Sequence, residues 1–316
     1  MKLRVSRTQI PVLTTCAVFV LFYAVASLRY PGFFSWPVFM NLLRDNSFLG
    51  LASIGLTFVI LAGGIDLSVG AMIGFTSILI ARLAAHHVHP LLAIAVALGL
   101  GTGVGWGLGT IIHFAALPPF LVTLAGMFLL RGLGLVISLE TITIQHAFYD
   151  AISDFSLRLF PVTAILFLLT LICAIYLAQF TPFGRTIYAI GGNEQSAILM
   201  GLPVGRTRVR LYALSGFCSS LAGVTYTLYT SSGNASAGTM LELDAIAAVV
   251  IGGTLLSGGV GHVFGTLIGV LILGIIQTII TFEGTLSSWW TKIAIGGLLL
   301  VFILLQRLLQ SGTRTN

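Results

Sequence analysis

Long apolar runs parted by short polar turns fill this sequence from residue 9 to residue 305. A hydrocarbon core of about 30 Å takes roughly 20 apolar residues per helical span. On that measure the runs predict about ten spans. They fall at 9–28, 46–61, 69–83, 91–114, 120–137, 162–179, 209–230, 245–256, 262–282 and 286–305. The stretch 30–44 is aromatic and contains proline, and is expected to lie in the interface. At 62–70 (AGGIDLSVG) two glycines and Asp66 interrupt the apolar pattern. Residues 138–160 read as a polar loop with Glu140, Asp150 and Asp154, and 231–244 as a small, polar connector.

The stretch 180–210 breaks the alternation. It is the one long basic loop, carrying Arg185, Arg206, Arg208 and Arg210 against a single acid, Glu194. Within it, 193–201 (NEQSAILMG) predicts a short amphipathic helix. Asn193 is the expected N-cap, and Glu194 lies in the first turn. Ala197, Leu199 and Met200 are expected to form its apolar face, with Gly201 and Pro203 as the stop. Such a helix suits docking to a partner; a solvated loop held inside by its charge has the same composition.

Composition narrows the class. With 57% hydrophobic and 8% charged residues, and a mean hydropathy of +1.06, the chain lacks the polar surface a soluble domain needs. The expected fold is an all-α integral membrane protein, one transmembrane domain over 1–316 with no length left for a soluble one. The net charge of +6 sits in turns beside spans and does not point to nucleic acid. Cys16, Cys173 and Cys218 each lie in an apolar run, so no disulfide framework is expected.

Ten spans put both termini on one side. That side then holds Lys2, Arg4, Arg7, Arg185, Arg206, Arg208, Arg210, Arg307 and Arg314, with Asp66 and Glu194 as its acids. The other side holds Arg29, Arg44, Arg82 and Arg158 against Asp45, Glu140, Asp150, Asp154, Glu242, Asp244 and Glu283. The positive-inside rule places the termini and the 180–210 loop in the cytoplasm.

Candidate functional positions follow from charges and glycines inside the spans. LAGGIDLSVGAMIG (61–74) echoes LSGGVGHVFGTLIG (256–269), which marks two glycine-broken junctions, Gly63–Gly64 and Gly258–Gly259. Irregular backbone at membrane depth is tolerated only against protein or water, so such breaks are candidate gates. Asp66 either caps the third span, accepting from the N–H of Ser68 or Val69, or faces a path. Arg131 either snorkels or lines a path as a donor. Trp289, with Trp290 and Lys292, forms an interfacial belt or an aromatic platform for a sugar ring. Gly99, Gly101, Gly103, Gly105, Gly107 and Gly109 alternate. All are odd-numbered, so they form two small-xxx-small packing series and no dinucleotide fingerprint. His86, His87 and His89 could chelate a metal, but lie in a short turn without a fixed scaffold. No P-loop, H-E-x-x-H or G-x-S-x-G occurs, and no chain of mid-span carboxylates appears.

Four stretches resemble the membrane permeases of bacterial ABC importers for monosaccharides, the ribose and arabinose permease family. They are LTFVILAGGIDLSVG (56–70), TLAGMFLLRG (123–132), FGRTIYAIGGNEQSAILMG (183–201) and ELDAIAAVVIGGTLLSGGVG (242–261). Within the family, PGFFSWPVF (31–39) and FEGTLSSWWTKIAIGGLL (282–299) are most similar to galactofuranose permeases. The resemblance implies an alternating-access pore in the bacterial inner membrane, paired with a second, non-identical permease. It also implies a periplasmic sugar-binding protein and a separate ABC ATPase, which holds the ATP and Mg²⁺, so this chain needs no cofactor. The segment 193–201 matches the family's coupling helix, which assigns ATPase contact to Asn193, Glu194, Ala197, Leu199, Met200 and Gly201. The expected gate and path residues are Gly63, Gly64, Asp66, Ser68, Arg131, Gly258, Gly259 and Trp289. The alternative is a stand-alone secondary carrier or channel for a small polar solute.

Overall fold

The computed structural model describes residues 10–154, 156–157, 160–285, 287 and 289–311. Lys2, Arg4, Arg7, Arg158 and Arg314 lie outside them, as do the expected starts of two spans at Gln9 and Leu286. The chain is a helical bundle: α1 (Ile10–Arg29), α2 (Trp36–Asp45), α3 (Ser47–Leu61), α4 (Val69–Ala85), α5 (Pro90–Phe114), α6 (Pro119–Ile137), α7 (Ala147–Asp154), α8 (Val162–Phe180), α9 (Pro182–Gly192), α10 (Glu194–Leu199), α11 (Val204–Thr230), α12 (Leu241–Ile251), α13 (Val263–Glu283) and α14 (Trp289–Ser311). Among the described residues, α1, α5, α6, α8 and α13 contain segments long and apolar enough to cross a membrane. α3, α4 and Trp289–Leu304 of α14 are shorter apolar helices.

The longest helix, α11, is rich in hydroxyls and sits in the middle, packed on α3, α4 and α5. Its Ser215, Ser219, Ser220, Thr225 and Thr227 are buried. Small hydroxyl side chains bond back to their own helix or to a neighbour, so a central helix can carry them away from lipid. Thr225 and Thr227 do this, donating to the carbonyls of Leu221 and Gly223.

The glycine series of α5 divides by face. A Cβ on Gly101 would strike the Ser220 side chain, and one on Gly105 the Tyr212 carbonyl. One on Gly109 would press on the Val209 backbone. Gly99, Gly103 and Gly107 have nothing within 4 Å of the same position. One small-xxx-small series therefore seats α11 within the chain, and the other faces outward. Gly105→Val should lower the unfolding free energy in mild detergent by roughly 1–3 kcal/mol, the usual range for overpacking. Gly103→Val should leave the melting curve where it was; equal losses at both positions would contradict this facing.

Two expectations need correction. The 180–210 stretch is not a long loop with one short helix. α8 runs to Phe180, α9 fills Pro182–Gly192, and α11 begins at Val204. Thr181 caps α9 by accepting from the Gly184 N–H at 3.3 Å, and Pro182 stands at the start, where its missing N–H costs nothing. Phe183, Ile187 and Ile190 then recur on one helical face and pack inward. The second correction concerns 138–160, which is more than a loop. Ile142–Thr143 pairs antiparallel with Ser232–Gly233, and α7 buries Tyr149. The two polar connectors are thus joined on one face of the bundle.

Candidate functional site

α10 forms where its caps dictate. The Asn193 Oδ1 accepts from the Ser196 N–H at 2.8 Å. At the other end Gly201 takes φ +74°, donating to the Ile198 carbonyl, while Leu202 N–H reaches back to Ala197. A left-handed glycine closing a helix in this way satisfies carbonyls left orphaned by the last turn. The expected apolar face does not hold together. Ala197 is fully buried, against Ile190 and Val204, whereas Leu199 is 87% and Met200 66% exposed. Six residues make under two turns, so positions 197 and 199 lie on opposite sides. Ile198 joins the outward group. Glu194 pairs with Arg208 of α11 at 2.6 Å. With Glu194 exposed and Arg208 half-buried, a pair of this kind is worth about 1 kcal/mol, so the buried Ala197 contact does more to seat α10.

The two glycine junctions touch. α3 ends at Leu61, and its carbonyl, orphaned by the helix end, accepts from the Gly259 N–H at 2.9 Å. Gly63, Gly258 and Gly259 have φ of +77°, +82° and +75°, which favours glycine strongly. Gly258 packs on the Gly63 backbone. α12 has 11 residues, about 16 Å, roughly half the hydrocarbon thickness. The backbone that follows, Gly252 to Thr254, is accordingly buried in protein.

α9 closes over this contact. A Cβ on Gly191 would strike both the Leu61 carbonyl and the Gly259 nitrogen. The Tyr188 hydroxyl donates to the Gly261 carbonyl at 2.9 Å. From the bundle centre, the Tyr212 hydroxyl of α11 donates to the Ile65 carbonyl at 3.3 Å. Two broken helices and the helix leading into α10 therefore share one backbone contact.

Asp66 is 2% exposed and fully engaged. Its Oδ1 accepts from the Ser68 N–H at 2.9 Å and the Ser68 hydroxyl at 2.6 Å. Its Oδ2 accepts from the Ser215 hydroxyl of α11 at 2.7 Å. Asp66 organises the turn into α4 and ties it to the central helix. Arg131 donates through Nη1 to the carbonyls of Ala235 and Ala237 at 2.9 and 2.7 Å, fastening α6 to the 231–240 connector. Trp289 opens α14 and is 75% exposed; nearby Lys292 binds Asp244. The expected path residues thus separate. Gly63, Gly258 and Gly259 lie at the α9 contact, Gly64 faces the Tyr212 hydroxyl of α11, and Asp66 and Ser68 are buried beside α11. Arg131 and Trp289 belong to the opposite face. Gly191, Tyr188, Tyr212 and Ser215 were not singled out from sequence. Gly191 and Gly192 fell inside the stretch expected to be a loop. Among the described residues no three His, Cys, Asp or Glu side chains gather to hold a metal ion.

A multi-helix apolar bundle with interrupted helices under an amphipathic surface helix defines a membrane transport subunit. The chain belongs to the family described as the branched-chain amino acid transport system permease component, which matches residues 38–304. It is 49% identical over 307 residues to the inner membrane ABC transporter permease protein YjfF of Escherichia coli K12, covering 95% of this chain and 93% of that one. It is 44% identical over 287 residues to the ribose import permease RbsC of Bacillus subtilis 168, covering 90% and 88%. It is 35% identical over 320 residues to the fructose import permease FruG of Bifidobacterium longum, covering 96% and 92%. No solved structure matches the chain. The chain is a multi-pass inner-membrane permease.

Proposed function

We propose that this chain is the transmembrane pore subunit of an ATP-driven importer that passes a monosaccharide inward by alternating access. The named imports of the relatives, ribose and fructose, support a sugar. The stretches 31–39 and 282–299 favour galactofuranose as the particular substrate. The charge asymmetry supports about ten spans, with the termini and the α9–α10 face in the cytoplasm. A second, non-identical permease completes the pore. An ABC ATPase carrying ATP and Mg²⁺ docks on the exposed Ile198, Leu199 and Met200, and a periplasmic sugar-binding protein docks on the acidic face.

The contact at Gly191 carries this reading. Movement of α10 by a closing ATPase reaches α9 across a single residue, Asn193, and α9 rests directly on both broken junctions. Close-packed backbone has no slack to absorb such a displacement, so both junctions move together. The family description favours a second reading, a branched-chain amino acid as cargo. Uptake of labelled ribose, fructose and galactose, with leucine as competitor, in cells with and without this chain distinguishes the two. Sugar uptake that depends on the chain and ignores leucine supports the first.

Ile198→Glu combined with Met200→Glu should remove ATPase co-purification and reduce uptake to background, while the chain still inserts and elutes as a single species. Undiminished ATPase recovery would move the docking surface elsewhere. Ala197 is unsuitable for this test, because a glutamate there would be buried in the α9–α11 contact.

A further inference from the structure

A cavity of about 590 Å³ opens on the face opposite α10, between α2, α3, α12, α13, α14 and the end of α11. That volume lies within the range of small-molecule sites, about 300–1,000 Å³. Its charged groups are already matched. Lys292 Nζ binds both carboxylate oxygens of Asp244, at 2.8 and 2.5 Å, and Asp45 takes the Arg44 Nε at 2.9 Å. A zwitterion or an anion would have to break one of these pairs. The uncharged lining is available. Asn41 and Gln277 reach the cavity, and their amides make no hydrogen bond to other described residues. Each amide offers two donors and an acceptor, a combination that matches sugar hydroxyls, which both give and take. Phe48 and Tyr229, with ring centroids 6.2 Å apart, supply an apolar wall suited to the C–H face of a sugar ring.

We propose that this cavity, formed within one chain, is a binding site for a single neutral monosaccharide, seated by Asn41 and Gln277 beside the internally neutralised Lys292–Asp244 pair. The assignment rests on the sugar-importer reading and adds where in this chain the sugar first sits. Under the proposed orientation the cavity faces the periplasm, where a binding protein would release its load.

The test uses the full-length chain in mild detergent, with Cys16, Cys173 and Cys218 changed to alanine and Thr281→Cys added, an exposed lining position that takes no part in seating the sugar. Modification by a charged, water-soluble thiol reagent is timed in the presence of ribose, fructose, galactose, methyl galactofuranoside or leucine. A sugar that binds should slow modification about threefold at twice its Kd. The same reagent acting on Ser236→Cys, exposed on the same face, should be unaffected. Protection by leucine and not by sugars overturns the neutral-sugar assignment, and protection by nothing overturns the cavity as a solute site. Uptake by the assembled importer is measured separately in the same variant. Normal sugar uptake without protection rejects the cavity and leaves the importer reading intact, whereas absence of sugar uptake in the unmodified chain rejects the reading itself. Asp244→Asn supplies the second arm. It frees the Lys292 ammonium, so galacturonate should then protect better than galactose; an unchanged preference overturns the role assigned to the pair.

Discussion

Gly191→Ala abolishes transport, and Gly192→Ala leaves it unchanged. The two glycines are neighbours at the end of α9, and helix propensity treats them alike, so any difference comes from what their side chains would meet. At Gly191 a methyl group enters the hydrogen bond between the Leu61 carbonyl and the Gly259 N–H. Both atoms are backbone, held by positive-φ glycines on one side and a helix end on the other. Neither can step aside as a flexible side chain would. At Gly192 nothing lies within 4 Å. The alanine at 191 must therefore part the two junctions, lift α9, or both. Overpacking of this kind costs about 1–3 kcal/mol, well below what unfolds a large bundle, yet under the proposed mechanism it separates the element that would receive the ATPase's movement from the junctions that would respond to it. The measurement is labelled sugar uptake by the assembled importer alongside ATPase co-purification. Uptake should fall to background with the ATPase still bound. Normal uptake in Gly191→Ala would end the role given to this contact.

Asp66→Ala should produce the largest loss of stability of any single carboxylate removal. The side chain accepts three hydrogen bonds in a fully buried setting, from the Ser68 N–H, the Ser68 hydroxyl and the Ser215 hydroxyl. Its loss leaves two buried donors at the turn and one on the central helix. Hydrogen bonds to charged groups are each worth roughly 1.5–3 kcal/mol. A net cost of about 3 kcal/mol or more is expected, read as a drop in melting temperature in detergent. Asp66→Asn should cost less than half as much. Its carbonyl oxygen can still accept from Ser68, and its amide can donate to the Ser215 oxygen. Ser215→Ala removes one bond and should cost roughly 1.5–3 kcal/mol. If Asp66→Ala and Asp66→Asn instead melt like the parent and both lose uptake, Asp66 faces a path and is not the tie described here.

Much of this protein follows from its apolar pattern alone. Runs of hydrocarbon length have few alternatives in a bilayer, because every backbone group must be satisfied within its own helix. The junctions at Gly63–Gly64 and Gly258–Gly259 were legible for the same reason: paired glycines stand out in otherwise continuous apolar sequence. The end of α12 at Ile251, five residues before the expected end of that span at 256, was not. The cap at Asn193 and the stop at Gly201 are local chemistry, decided within a few residues, and both stand. The apolar face of α10 was misread because Ala197 and Leu199 look equivalent in composition. Only the arrival of Ile190 and Val204 decides which of them is buried. α9 carried its own start signal in Thr181–Pro182, but its position was hidden. Gly191 has meaning only beside Leu61 and Gly259, residues far away in the chain. The same holds for the Asp66–Ser215 bond, the division of the α5 glycines into inner and outer faces, and the pairing of Lys292 with Asp244. Periodicity and caps are properties of one segment and can be read from it. Contacts between segments depend on the helix packing that brings distant backbones together, and that is decided only in the folded chain.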